Sequence, residues 1–161
     1  MVSRASPVVV AALIAATAAG AAPNLVTAGY PYARSCPAAG ERDVVDKWKM
    51  DTCNCTSYVA WALAANRYRI DWFIPGAMDA LNWPTVARRK RIPVGTRARV
   101  GAVAVWPRWG RFGHVAFVTA VHANGDFDVA EYNLPEGVEF GFDRRSGVSP
   151  AGVTFLYVPR L

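Results

Sequence analysis

After Pro93 the chain changes character, and that change limits the folds open to it. Val100 to Trp106, His114 to His122, Phe127 to Tyr132 and Val153 to Val158 are short runs rich in valine, aromatic and β-branched residues, the composition of strands. Asn124-Gly125, between the second and third runs, is the strongest short hairpin signal in the sequence, because a two-residue turn of this type needs positive φ at both positions. Before Pro93 the pattern is helical. Tyr58, Trp61, Ala62 and Ala65 recur at i, i+3, i+4 and i+7 behind Asn54, a good N-cap residue. They predict a helix from about Cys55 to Asn66 with that stripe buried. A second helical segment is expected from about Ala77 to Arg89. It should break or restart at Trp83-Pro84, since proline suits a first turn and not an interior. Helices first and an antiparallel sheet after make an α+β domain.

No linker divides the two halves, and 161 residues suggest one domain. With 53% of residues hydrophobic the chain can build a core, and its charged fraction is too low for a disordered chain. Residues 1–22 stand apart. Arg4, an apolar run from Val8 to Ala19 and the small residues Ala19-Gly20-Ala21 read as a cleaved signal peptide. The apolar run is too short to span a bilayer, so no stable membrane insertion is expected after cleavage. Residues 23–40, rich in Pro, Gly and Ala, read as an extended arm without packing, and 41–161 as the domain. The net charge is +6, and Arg88-Arg89-Lys90-Arg91 is a short isolated run. Nothing resembles a nucleic-acid motif. The run reads as a solvated helix end or loop, or as an attraction to a polyanionic surface such as a bacterial wall.

Export changes how the three cysteines read, because cysteines tend to pair in an oxidising compartment and the odd one is a candidate reactive thiol. Cys53 and Cys55 are too close in sequence to bridge each other easily. Cys36–Cys53 and Cys36–Cys55 both stay open. A cysteine at the start of a helix sits where the partial positive charge favours an anion, and Cys55 would hold that place. A thiol nucleophile needs an imidazole, and the chain has two. His114 follows Gly110-Arg111-Phe112-Gly113, where a glycine-rich loop enters a strand and can face a cleft. His122, beside the Asn124-Gly125 turn, reads as a surface residue.

A histidine base needs an acceptor on its other nitrogen. Glu131 and Asn133 are two apart and share one strand face. A hairpin without bulges would set Asn133 opposite Ala116. Either polar group could serve the imidazole, or both could be solvated.

Four blocks together resemble a known family. They are Asn54-Cys55-Thr56-Ser57-Tyr58-Val59-Ala60-Trp61, Val100-Gly101-Ala102-Val103-Ala104-Val105-Trp106, Gly113-His114-Val115-Ala116-Phe117-Val118 and Glu131-Tyr132-Asn133. In this order they are similar to the CHAP domain family, the cysteine, histidine-dependent amidohydrolases/peptidases. The resemblance covers roughly Tyr30 to Val158. It implies a papain-like fold, N-terminal helices on a C-terminal antiparallel sheet, and hydrolysis of peptidoglycan amide bonds. By motif the nucleophile falls on Cys55, the base on His114, the orienting carboxylate on Glu131 and a supporting polar group on Asn133. It further implies that Cys55 stays free and that Cys36 and Cys53 form a disulfide. Two departures stand out: Asn54 replaces the glutamine common before the nucleophile, and Trp83-Pro84 interrupts a usually continuous helix.

The reading that results is a secreted or periplasmic peptidoglycan hydrolase, an endopeptidase or N-acetylmuramoyl-L-alanine amidase working through a thioester. Its partner is peptidoglycan, it binds no nucleic acid, it needs no metal or cofactor, and it is a monomer. Asn54 would support the oxyanion beside the Cys55 N–H. Two rivals use the same residues. One is an inactive CHAP-like wall-binding module. The other is a binding module stabilised by zinc on Cys53, Cys55, His114 and His122, although the spacing lacks the usual Cys-x2-Cys knuckle.

Overall fold

The computed structural model describes residues 25–34, 44–133 and 141–161. Two α-helices lie before a six-stranded antiparallel sheet: α1 Cys55–Ala65, α2 Trp83–Arg89, β1 Val94–Gly95, β2 Val103–Trp106, β3 His114–Val121, β4 Phe127–Tyr132, β5 Phe142–Val148 and β6 Thr154–Leu156. The strands lie in the order β1-β6-β2-β3-β4-β5. This is the expected α+β arrangement. No helix among the described residues is long and apolar enough to cross a membrane.

α1 forms where its signals fall, while α2 covers only Trp83–Arg89 of the expected Ala77–Arg89 segment, and residues 77–79 lie outside any helix. A short 3-10 turn, Ala80–Asn82, leads into α2, and Pro84 sits in its first turn, where its missing N–H costs nothing. The burial of α1 is wider than the expected stripe. Tyr58 and Ala62 are buried as the periodicity requires, but so are Ser57, Val59, Ala60 and Leu63, while Trp61 is partly exposed and Ala65 is exposed. The helix is covered from two sides. The sheet packs on one through Val103, Val105, Val115, Phe117 and Ala130. The N-terminal segment packs on the other.

That segment was expected as an unpacked arm, and over its described residues it packs. Asn66 exchanges hydrogen bonds with the backbone of Val26 (2.8 Å each way), Tyr58 Oη donates to the Thr27 carbonyl (2.8 Å), and Tyr30 Oη meets Ser57 Oγ at 2.6 Å. These contacts are spaced along α1 from its end to its first turn. Proline and glycine keep the segment from forming a regular element, yet its tyrosines carry enough apolar surface to bury. Residues 1–24 and 35–43, which hold the signal-peptide reading and Cys36, lie outside the described residues.

The sheet has two faces with separate layers. One face joins the helical core, and the other collects Ala102, Ala104, Ala116, Val118, Phe127, Val129, Val153 and Phe155. Two strands lack a clear sequence signal: β1 is two residues long, and β5 is polar and mostly exposed. The β3–β4 hairpin also differs from expectation. It closes through three residues, with the His122 N–H donating to Asp126 (2.8 Å), the Gly125 N–H donating to His122 (3.0 Å), and Gly125 at φ 91°. A bulge between Val118 and Ala120 adds a second one-residue shift. One slip would turn every later side chain to the wrong face, and two restore it. Phe117 therefore pairs with Ala130, and the same register continued sets Ala116 against Glu131 and His114 against Asn133.

Tyr30→Phe is expected to test the packed N-terminal segment. The Cys53 N–H donates to Tyr30 Oη at 2.9 Å in a buried setting, and removing the oxygen strands that donor at a cost of about 1–3 kcal/mol. A lowered urea midpoint with unchanged m-value is the expected result. An unchanged midpoint would show that the segment contributes nothing to stability.

Candidate active site

Cys55 is the first residue of α1 and the free cysteine among the described residues. Asn54 precedes it in extended conformation (φ −94°, ψ 161°), and its carbonyl accepts the first helical hydrogen bond, from Tyr58, at 3.0 Å. The backbone is thus that of an N-cap. The side chain is not: it makes no capping bond. Asn54 Oδ1 instead accepts from Asn133 Nδ2 at 2.6 Å. Asn133, just past β4, takes a left-handed φ of 58°, which asparagine tolerates well. The exchange ties the start of α1 to the end of β4.

His114 opens β3 and is nearly fully buried. The loop before it is held closely. Gly113 has φ 76°, and a Cβ there would lie 2.6 Å from the Leu81 backbone nitrogen, so only glycine fits. The Leu81 N–H also donates to the Phe112 carbonyl at 2.8 Å. The loop is therefore pinned to the 3-10 turn, which fixes where β3 begins.

His114 Nε2 hydrogen-bonds Glu131 Oε2 at 2.8 Å, and Glu131 has no exposure to water. This use of Nε2 leaves Nδ1 for Cys55. Burial pulls the imidazole's pKa down, but the hydrogen bonds to Cys55 and Glu131 and their charges outweigh it and raise it from 6.5 to about 9. Burial pushes Glu131 up, and its bonds from His114 and Arg145 more than offset this, so its pKa falls below the ordinary carboxylate value. Arg145 donates from Nε to Oε1 at 2.5 Å and from Nη2 to Oε2 at 2.9 Å. The sequence reading missed Arg145, because it lies in the polar run Phe142–Val148 that carries no strand pattern. It also left the aromatic rings beside His114 without a role: Trp106 at 5.7 Å and Trp109 at 6.2 Å between centroids.

Cys55, His114, Asn54 and Asn133 line one cleft of about 540 Å³, with Asp51, Asp79, Trp109 and Arg111 among its other walls. The structure thus brings all five proposed site residues together, with Glu131 buried behind His114. It places His122 at the other end of β3, bonded to Asp128 at 2.7 Å. A metal centre on Cys53, Cys55, His114 and His122 does not match this placement. Among the described residues, no group of three or more His, Cys, Asp or Glu is set to hold a metal ion. Chemically, the arrangement offers an accessible thiol, an imidazole fixed in one orientation, and amide groups at a helix start.

The His114 shift has a definite sign. Its folded pKa lies above the ordinary value, so its contribution to stability is full below about pH 6.5 and is lost as pH rises through about 9. Nuclear magnetic resonance titration of the imidazole should give a midpoint near 9 in the wild type. In Glu131→Gln the midpoint should fall, since burial is then opposed by one partner fewer. An unmoved midpoint would mean that Glu131 does not set the charge of His114.

Comparison with known proteins places this geometry. The chain is 30% identical over 92 residues to a hydrolase of Streptococcus mutans serotype c, covering 54% of this chain and 41% of that protein. It is 32% identical over 81 residues to an N-acetylmuramoyl-L-alanine amidase of Staphylococcus saprophyticus, covering 50% of this chain and 21% of that one. It therefore spans less than half the length of either relative. Its fold is similar to the crystal structure of an N-acetylmuramoyl-L-alanine amidase from Staphylococcus aureus, with a TM-score of 0.60 at 23% identity over 73% of this chain and 34% of the other. The profile of the CHAP domain matches residues 45–133, more than half of the sequence, and the chain belongs to the CHAP domain family.

Proposed function

We propose that the protein is a secreted cysteine hydrolase that cuts amide bonds in the stem peptide or cross-bridge of peptidoglycan. The observation that carries this reading is the placement of His114 between Cys55 and the buried Glu131 at the wall of an open cleft. Family membership and the two relatives named as hydrolase and amidase support the reaction class. The apolar leader at residues 8–19 supports export.

The chemistry follows from the contacts. Glu131 holds the Nε2–H of His114, so the ring presents Nδ1 to Cys55. The Cys55 sulfur, its proton given to Nδ1, attacks the amide carbon, and the carbonyl oxygen becomes an oxyanion. The Cys55 N–H lies at the helix start, where backbone donors are free. Because Asn133 occupies the Asn54 oxygen, the Asn54 NH2 is the end left to face the oxyanion. His114 then protonates the leaving amine, which breaks the C–N bond and leaves a thioester. Water, deprotonated by His114, hydrolyses the thioester and restores the thiol. Asn133 acts by fixing Asn54.

Cys55→Ala and His114→Ala should each lose release of fragments from purified peptidoglycan, while His122→Ala should stay near wild type. Mass spectrometry of the fragments would identify the bond. Activity retained in Cys55→Ala would sink the cysteine mechanism, and the reverse ranking of the histidines would mean a different base. Glu131→Gln should lower turnover more than Asn133→Ala, because a carboxylate also stabilises the imidazolium.

The Cys36–Cys53 disulfide belongs to the same proposal. Cys53 is fully buried, and its sulfur lies 3.5 Å from the Tyr32 carbonyl, on the segment that leads toward Cys36. A bridge there would hold Asn54 and Cys55 from one residue away, and closing a loop of this length stabilises by about 3 kcal/mol. Peptide mapping of exported protein without reductant should find Cys36 linked to Cys53 and Cys55 open to alkylation. A native Cys36–Cys55 link would overturn both the bridge and the nucleophile.

A further inference from the structure

We propose that Arg145 is a positioning residue for the hydrolytic site: its guanidinium fixes the Glu131 carboxylate that orients His114. The inference rests on the cysteine-hydrolase reading and goes beyond it by assigning a further group to the machinery. Glu131 has no water to turn to, so protein donors alone must hold it. Arg145 covers both oxygens, Nε on Oε1 and Nη2 on Oε2, and Oε2 also receives the His114 bond. Without the arginine, Oε1 loses the donor that faces it and the carboxylate can rotate away from Nε2. A fork fits this task because two parallel donors fix the carboxylate plane, whereas a lysine ammonium gives one point of attachment. The guanidinium is itself braced over the Trp106 ring at 4.9 Å, and Trp106 pairs with His114 across β2 and β3.

The fold contains a device that selects this arginine. Between Phe127 and Val129 of β4 the β5 register shifts, so that Phe127 pairs with Val148 but Val129 pairs with Arg145. Gly147, at φ 67°, supplies the left-handed turn of that bulge. Continued without the shift, the pairing would bring Arg144 to the face of Glu131. With it, Arg145 shares that face, and Arg144 turns to the other, where it bonds Thr27 Oγ1 at 2.8 Å.

The charged and titratable groups around Glu131 come from every neighbour. His114 faces it from β3 and Arg145 from β5. Tyr58 of α1 stands nearby with its hydroxyl pKa pushed up by burial, and Asp143, its partner in register, is exposed. Arg145 is therefore the permanent cation that opposes the burial of this carboxylate.

The test uses the whole mature chain, with soluble peptidoglycan fragments from lysozyme-digested sacculi as substrate. Arg145→Gln and Arg145→Lys are compared with wild type and Cys55→Ala at temperatures where circular dichroism shows each folded. Both arginine variants should lose about ten- to a hundredfold in kcat, the size of loss that follows when the partners orienting a metal-binding histidine are removed, with KM within about twofold. Arg145→Gln should also move the acid side of the kcat profile to higher pH, because Glu131 then binds its proton more readily. Arg145→Lys keeps the cation and should leave that limb nearer to wild type. Wild-type kcat and pH profile in Arg145→Gln, with Cys55→Ala inactive, would overturn the role of Arg145 alone. Activity in Cys55→Ala would overturn the underlying reading. Failure of both arginine variants to fold would assign Arg145 to the fold and overturn the proposal.

Discussion

A carboxylate sealed from water must be matched by donors, or it gives up its charge. Glu131 is such a group, and much of the sheet's detail serves it. β3 must begin at His114, β4 must present Glu131 on the same face, and β5 must run alongside to deliver an arginine. The two shifts in the β3–β4 hairpin and the one in β4–β5 are what make these three side chains converge. A β3–β4 hairpin in regular register would set Glu131 opposite Val118, two positions from Ala116, and part it from His114.

The other half of the site depends on packing. α1 places Cys55 at its start, and the helix is held by the sheet beneath and by the N-terminal segment above. Tyr30, Tyr58 and Tyr132 meet with ring centroids 5.0 to 5.7 Å apart, and Trp61 and Phe142 adjoin them. Each buried aromatic contributes about 1.5–3 kcal/mol through apolar area, with a further increment for ring geometry. This cluster joins α1, β4, β5 and the segment around Tyr30 into one block. The thiol and the imidazole thus rest on different supports, one helical and one of sheet, joined at the surface by the Asn54–Asn133 bond.

Much of this was readable from the amino acids. The β-branched runs announced β2, β3, β4 and β6, and the Tyr58–Ala62 spacing announced α1. Cys55, His114, Glu131 and Asn133 stood out as a thiol at a helix start, a histidine after a glycine loop and two polar residues at a strand end, and the resemblance to the CHAP family gave each its role. What escaped notice is non-local. β5 has an edge strand's polarity, so nothing in Phe142–Val148 marks it as a partner of β4. Arg145 becomes informative only when that pairing is known. Asn54 has the residue type of an N-cap, yet its side chain answers to a residue 79 positions later in the chain. The hairpin was read as two residues because Asn-Gly fits that turn, and the third residue, Ala123, is silent by itself.

The glycine bulge in β5 has one more consequence. Two arginines in succession on an outer strand look redundant, but alternation assigns them to opposite sides, one to Glu131 and one to Thr27. If the bulge were flattened with every residue kept, the register would move by one, the two would exchange sides, and each side would still receive a guanidinium. The buried carboxylate is thereby insured against a one-residue register error at this edge of the sheet. A strand carrying a single arginine would lose its counterion at the first such slip.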